Sequence, residues 1–202
     1  TQRSLHFFRI SSETMPVFRN QGNNTFLEMT ARAGVSSLSL SRAGWANGIV
    51  DFNNDGRKDL FVAGGDVMDP NGEFKEKVRQ TNLVMANLGK FKFADATAVA
   101  GPDFSTKRAT HRGGAFGDLD NDGRVDLVTH ENTGYYVYRN QGGQFAREFV
   151  YRAKFERGDI PKLKGDTFDY WQFDGKMSFG DFENDGDLDI FLIGPNGTRV
   201  EL

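Results

Sequence analysis

Apolar residues fall in short runs closed off by Gly, Asn and Asp: DLFVAG at 59–64, NLVMAN at 82–87, FADATA at 93–98, GGAFGD at 113–118 and DIFLIG at 189–194. Runs of this length rich in Val, Phe and Leu, with turn residues between them, predict strands. No stretch sustains apolar residues at i, i+3, i+4 and i+7, so no long helix is expected. The order strand, strand, Gly turn, strand, strand recurs along the chain. Four short strands per unit predict an all-β fold, a β-propeller of four-stranded blades.

The recurrence is a repeat. From Asp51 to Asp118 is an offset of 67 positions, and the same offset maps Asn20 to Asn87, Gly22 to Gly89, Phe26 to Phe93, Thr30 to Thr97 and Gly34 to Gly101. Units fall at approximately 1–50, 51–117, 118–180 and 181–202, within one domain. Register breaks place insertions near 64–81 and 150–175, as surface connections allow. The count is roughly fourteen strands, about three and a half blades at four strands each. Leu5-His6-Phe7-Phe8-Arg9 reads as a first strand with no loop before it, and Arg199-Val200-Glu201-Leu202 aligns with Tyr136-Val137-Tyr138-Arg139. The last blade therefore lacks outer strands, so a longer polypeptide or further copies are expected to complete the ring or cover the edge.

Each unit after the first begins with an acidic loop. The first holds Asp51, Asn53, Asp55, Gly56 and Asp59; the second Asp118, Asp120, Asp122, Gly123 and Asp126; the third Asp181, Glu183, Asp185, Gly186 and Asp189. Oxygen ligands at positions 1, 3, 5 and 9, with Gly at 6 for a sharp turn, suit a hard cation such as Ca²⁺. The backbone carbonyl of position 7 (Arg57, Arg124, Asp187) is the expected further ligand. An EF-hand needs a Glu at position 12 and flanking helices; position 12 is Val62, Thr129 or Leu192, in strand-like runs. Three Ca²⁺ ions would carry the formal net charge from −3 to +3, two charges per ion. Without a cation, carboxylates this close oppose a compact loop. Solvated Asx-rich turns are the competing reading.

The segments FRNQGNNTFLEMTARAG, GIVDFNNDGRKDLFVAGG, NLVMANLGKFKFADATAVAG, GAFGDLDNDGRVDLV, YVYRNQGGQF and FGDFENDGDLDIFLIG resemble the FG-GAP/VCBS repeat propellers, in particular their cartilage acidic protein and UnbV-like branch. Phe116-Gly117 and Phe179-Gly180 carry the "FG". The resemblance implies an extracellular or cell-surface propeller with structural calcium loops, and it constrains architecture better than function.

Composition narrows the rest. Zero cysteines exclude a disulfide scaffold and thiol chemistry, and no apolar run approaches a membrane span. The chain begins at Thr1, which fits a processed or excised N-terminus. A net charge of −3 with interspersed signs argues against nucleic acid. Lys107-Arg108 with His111-Arg112 is the one compact basic run, which a solvated loop explains equally well. Catalytic motifs of the G-x-S-x-G or H-E-x-x-H type are absent, and His6, His111 and His130 share no spacing that suggests a site. Arg157-Gly158-Asp159 spells a tripeptide that integrins read in some ligands, and chance in a chain rich in all three residues is the simpler reading. Phe168, Tyr170, Trp171 and Phe173 could stack on a sugar or simply pack as a strand, and Asn23 and Asn196 open N-glycosylation patterns. The expected function is non-catalytic: binding a protein or glycan, adhesion, or self-assembly through open strand edges. The alternative is the scaffold of a carbohydrate-active enzyme, a polysaccharide lyase or hydrolase.

Overall fold

A computed structural model describes residues 13–66, 78–131, 134–152, 176–180, 189–193 and 199–201. Thirteen strands appear among them: β1 Phe18–Gly22, β2 Thr25–Glu28, β3 Gly44–Val50, β4 Asp59–Gly64, β5 Leu83–Asn87, β6 Phe93–Asp95, β7 His111–Gly117, β8 Asp126–Glu131, β9 Gly134–Asn140, β10 Phe145–Arg152, β11 Lys176–Gly180, β12 Asp189–Ile193 and β13 Arg199–Glu201. They form four antiparallel sheets in the orders β1-β2, β3-β4-β5-β6, β7-β8-β9-β10 and β11-β12-β13. Every pairing is between chain neighbours. Each sheet with a loop begins at the strand before that loop, so it takes its first strand from the preceding sequence unit. β3 lies beside β7, and β7 beside β11.

The sheets stack through two apolar layers. On β4, Leu60 and Val62 face one way, joining Met15, Val17, Ala33, Val35, Leu83, Met85 and Phe93. Phe61 and Ala63 face the other way, joining Phe52, Val84 and Phe104 and, from the next sheet, Leu127, Tyr138 and Phe145. The period-2 alternation of a strand thus feeds two cores, which is why DLFVAG reads as a continuous buried run. Aromatic rings fill the second layer: Phe61 meets Phe116 edge-on at 5.4 Å between centroids, and Phe104 meets Phe145 at 5.2 Å and Tyr138 at 4.8 Å. Such pairs add about 0.5–1.5 kcal/mol each beyond their burial. Gly48 of β3 permits this approach, because a Cβ there would sit 2.3 Å from the Phe116 ring.

The 67-residue offset survives in the hydrogen bonds. Thr30 Oγ1 accepts the Val17 amide at 2.7 Å, and Thr97 Oγ1 accepts the Val84 amide at 3.1 Å. Between strands the structure differs from the sequence reading. FADATA is a strand only over Phe93–Asp95, and four one-turn helices follow the outer strands: α1 Thr30–Ala33, α2 Val35–Ser39, α3 Thr97–Ala100 and α4 Pro102–Ser105. A single turn is too short to display a 3.6-residue period, so periodicity could not reveal it. Packing holds these helices, and a carboxylate just ahead of α1 and α3 accepts the first amide of each: Glu28 takes the Thr30 amide at 2.7 Å and Asp95 the Thr97 amide at 2.8 Å. Leu5–Arg9, most of both insertions, Arg157-Gly158-Asp159, the Phe168–Phe173 cluster and Asn196 lie outside the described residues. Asn23 is exposed in the β1–β2 turn, with φ of 51°. No helix among the described residues is long and apolar enough to cross a membrane.

Candidate metal centre

Each acidic loop joins the first and second strands of a sheet, and one register closes all three. Val50 pairs with Asp59, Gly117 with Asp126, and Gly180 with Asp189. Within the second loop the Asp118 carboxylate receives the amides of Asp122 at 3.0 Å and Gly123 at 2.8 Å, and Asp122 receives the amide of Arg124 at 2.8 Å. The first loop repeats this: Asp51 accepts from Asp55 at 3.0 Å and Gly56 at 2.8 Å, and Asp55 from Arg57 at 2.8 Å. The curl requires left-handed backbone at two positions, filled by Asn54 and Asn121 (φ 56° each) and by Gly56 and Gly123 (φ 82° and 81°). Glycine takes that conformation without steric cost, and Asn tolerates it.

The donor set fits a hard cation. Asp118, Asp120 and Asp122 each place a carboxylate oxygen within 4.8 Å of the others. Oxygens on opposite sides of a Ca²⁺ ion, each 2.3–2.6 Å from it, stand about that far apart. In the first loop Asn53 takes the place of Asp120, and its Nδ2 donates to Asp55 at 3.0 Å. Asp51, Asn53, Asp55, Asp59 and the Arg57 carbonyl would hold one ion. Asp118, Asp120, Asp122, Asp126 and the Arg124 carbonyl would hold another. Of the third set, Asp181, Glu183, Asp185 and Asp187 lie outside the described residues, and Asp189 opens β12.

Position 9 has a second task. Asp126 is fully buried; its Oδ1 accepts the Asn140 amide at 2.7 Å, and its Oδ2 accepts the Leu119 amide at 3.1 Å and Arg139 at 3.0 Å. Asp59 likewise accepts the amides of Asn87 at 2.8 Å and Phe52 at 3.3 Å. Burial raises the Asp59 carboxyl above its ordinary range; those two amides oppose the shift, and the charges of Asp55 and Asp51 add to it. Asp55 is held below its ordinary range by the Arg57 amide, the Asn53 side chain and the Arg57 guanidinium. Burial is the larger part of that shift; the smaller part, from the charges of Asp55 and Asp51, is what a bound cation would relieve.

Two kinds of residue escaped the sequence reading. The position-7 arginines use their side chains as well: Arg57 pairs with Asp55 at 2.5 Å, Arg124 pairs with Asp122, and their Nε atoms donate to the carbonyls of Asn87 at 2.8 Å and Asn140 at 2.7 Å. Those asparagines are the other group. Asn87 donates to Lys58 O at 2.9 Å and accepts from Gly89 at 2.9 Å; Asn140 donates to Val125 O at 3.0 Å and accepts from Gly142 at 3.0 Å. Their recurrence was visible as part of the repeat, but recurrence alone carries no role.

A separate polar cluster lies at the opposite end of β8. The basic run at 107–112 does not form a surface patch, because His111 is buried and its Nδ1 stands 3.7 Å from the Glu131 carboxylate. Glu131 also accepts from Thr129 at 3.0 Å, from Tyr138 and from Arg147 at 2.6 Å. Burial pushes both His111 and His130 down to about 4; Arg112 adds to this in both, and Glu131 opposes it. An unfolded chain protonates histidine near pH 6.5. The unfolded state therefore binds more protons between about pH 6.5 and 4, and stability falls as the pH drops through that window. The expected loss is on the order of 2–3 kcal/mol per histidine. Urea unfolding at pH 7, 5.5 and 4.5 measures it, and a His111→Gln, His130→Gln variant should show a shallower slope. A wild-type stability that is flat across those values contradicts the buried, neutral pair.

Comparison with known proteins agrees with the loops. A family model described as FG-GAP-like repeat matches residues 51–129 and 118–192. Cartilage acidic protein 1 of Mus musculus is 30% identical over 179 residues, and that of Homo sapiens 28% over 179 residues. Each alignment covers 87% of this chain and 24% of the relative, so the chain spans about a quarter of their length. Among solved structures, a lectin from Agrocybe aegerita, described as specifically recognising non-reducing terminal N-acetylglucosamine, superposes with a TM-score of 0.52 at 18% identity. That superposition covers 99% of this chain and 52% of the lectin.

Proposed function

The chain belongs to the FG-GAP-like repeat family, and from that premise we propose that it is a segment of a β-propeller, stabilised by Ca²⁺ at three loops, that binds or assembles outside the cell rather than catalysing a reaction. One observation carries this reading: two loops 67 positions apart curl identically, and one of them brings three carboxylates to within 4.8 Å of one another at the neck of a strand pair. The stacked sheets with adjacent first strands support a propeller of about three and a half blades. A bound ion neutralises carboxylates that otherwise repel, and it links the first two strands of each blade where no disulfide can. Blades fixed in this way hold their connecting segments in a constant arrangement, which a recognition surface requires.

The expected ligand is a glycan or a protein, or a further copy of the chain at an open strand edge. The lectin neighbour supports the fold, and terminal sugars are a first probe for the ligand. Relatives named for cartilage support an extracellular or cell-surface setting. A polysaccharide panel incubated with the protein, with and without calcium, separates this reading from the scaffold of a carbohydrate-active enzyme. No depolymerisation is expected. Turnover abolished by a point substitution within the insertions near 64–81 or 150–175 would overturn the non-catalytic reading.

A further inference from the structure

We propose that Asn140 and Asn54 are positioning residues that couple the first two cation loops, so that an ion in either loop tightens the other. This rests on the cation reading above. Asn140 is almost completely buried, and every polar group it has is engaged. Its amide donates to Asp126 at 2.7 Å, its carbonyl accepts Arg124 Nε at 2.7 Å, and its Nδ2 donates to Val125 O at 3.0 Å, all within the closing half of the second loop. The same Nδ2 donates at 2.8 Å to the carbonyl of Phe52, which lies between the first loop's ligands Asp51 and Asn53. Its Oδ1 accepts from Gly142 at 3.0 Å and Gly143 at 2.8 Å. From the other side, Asn54 Nδ2 donates at 3.2 Å to the carbonyl of Gly123, next to the second loop's Asp122.

Phe52 makes the link stiff. Its ring is buried, 6.1 Å from Phe116, which precedes the second loop by two residues, and 5.4 Å from Phe145 of β10. Fixing Asp126 and Arg124 around an ion therefore fixes Asn140, and with it the peptide between two ligands of the first loop. Ordering one site lowers the entropy cost of ordering the other, which produces positive coupling. Electrostatics works against it, since filling the second loop removes two units of attraction for an ion in the first. Asp55, Asp120 and Asp122 are exposed and Asp51 and Asp118 half-buried, so screening over about 8 Å at physiological salt weakens that opposition more than it weakens buried hydrogen bonds; the position-9 carboxylates Asp59 and Asp126 are buried, and backbone amides hold both. The net sign is positive.

A calcium titration at 0.15 M salt, followed through the amide cross-peaks of Gly56 and Gly123, reads each loop separately. Disabling the second loop with Asp118→Asn and Asp122→Asn reads the shift in the calcium midpoint of Gly56, and the two loops' shifts multiplied together are expected to reach about five-fold or more, within the usual range of coupling between sites. Disabling the first with Asp51→Asn and Asp55→Asn reads the shift at Gly123 in the same way; the product of the two shifts is the coupling factor, which loops of equal affinity share equally and loops of unequal affinity place on the weaker one. Asn54→Gly keeps the left-handed backbone while removing the bridge, and should cut the factor by at least half; adding Asn140→Ala should bring it below about two-fold. If Asn140→Ala fails to fold, Asn54→Gly alone decides. If both midpoints stay put or fall when the other loop is disabled, the coupling is overturned and the cation reading stands; an unchanged factor in Asn54→Gly overturns the assignment of the coupling to these asparagines. If neither amide responds to calcium, the cation reading fails and the coupling with it.

Discussion

EDTA lowers the melting temperature of this protein, and added Ca²⁺ restores it. An ion that binds only the folded state adds about 2.7 kcal/mol when its free concentration is 100 times its dissociation constant. For a chain of this size each kcal/mol shifts the midpoint by about 2–4 °C, so each occupied loop should contribute about 5–10 °C. Mg²⁺ at equal concentration should restore less, because it demands near-ideal octahedral geometry and gives up its waters reluctantly. Differential scanning fluorimetry with EDTA, EDTA followed by excess Ca²⁺, and Mg²⁺ is sufficient. Identical melting curves in all conditions contradict a structural cation.

Asp122→Ala and Asp126→Ala should separate the two tasks of a loop carboxylate. Asp122 is exposed, and besides the expected ion it serves Arg124 and one loop amide. Its loss should cost no more than about 1 kcal/mol in EDTA, as exposed ion pairs contribute little, and should tell only in calcium. Asp126 is fully buried and holds the Asn140 and Leu119 amides and Arg139. Removing it leaves two amides and a guanidinium without their acceptor, at a cost of about 3–5 kcal/mol with or without metal. Urea unfolding of both variants in EDTA and in Ca²⁺ gives four stabilities to compare. If Asp126→Ala is as stable as wild type in EDTA, the buried strut assigned to position 9 is wrong.

The fold was legible where chemistry repeats. Strands such as DLFVAG and NLVMAN announce themselves through apolar runs bounded by turn residues, and the loops through carboxylates at fixed spacing. The 67-residue offset maps Thr30 onto Thr97, and both hydroxyls accept the equivalent amide in their units. Illegible were features that depend on contacts between units. No pattern within one unit announces that Asn140 reaches back 88 positions to Phe52. The one-turn helices after β2 and β6 carry too few residues for a period. His111 and His130 share no sequence spacing, yet β7 and β8 pair so that His111 stands opposite Glu131 and Gly113 opposite His130. Burial, which sequence spacing does not report, then keeps both imidazoles neutral.

Native mass spectrometry of the full chain, desalted and then brought to millimolar calcium, tests the central claim most directly. Three bound calcium ions per chain are expected, two after Asp118→Asn with Asp122→Asn, and the counts should be the same whether or not a glycan is present. A chain that stays folded at millimolar calcium and carries no ion would show that the acidic loops are solvated turns.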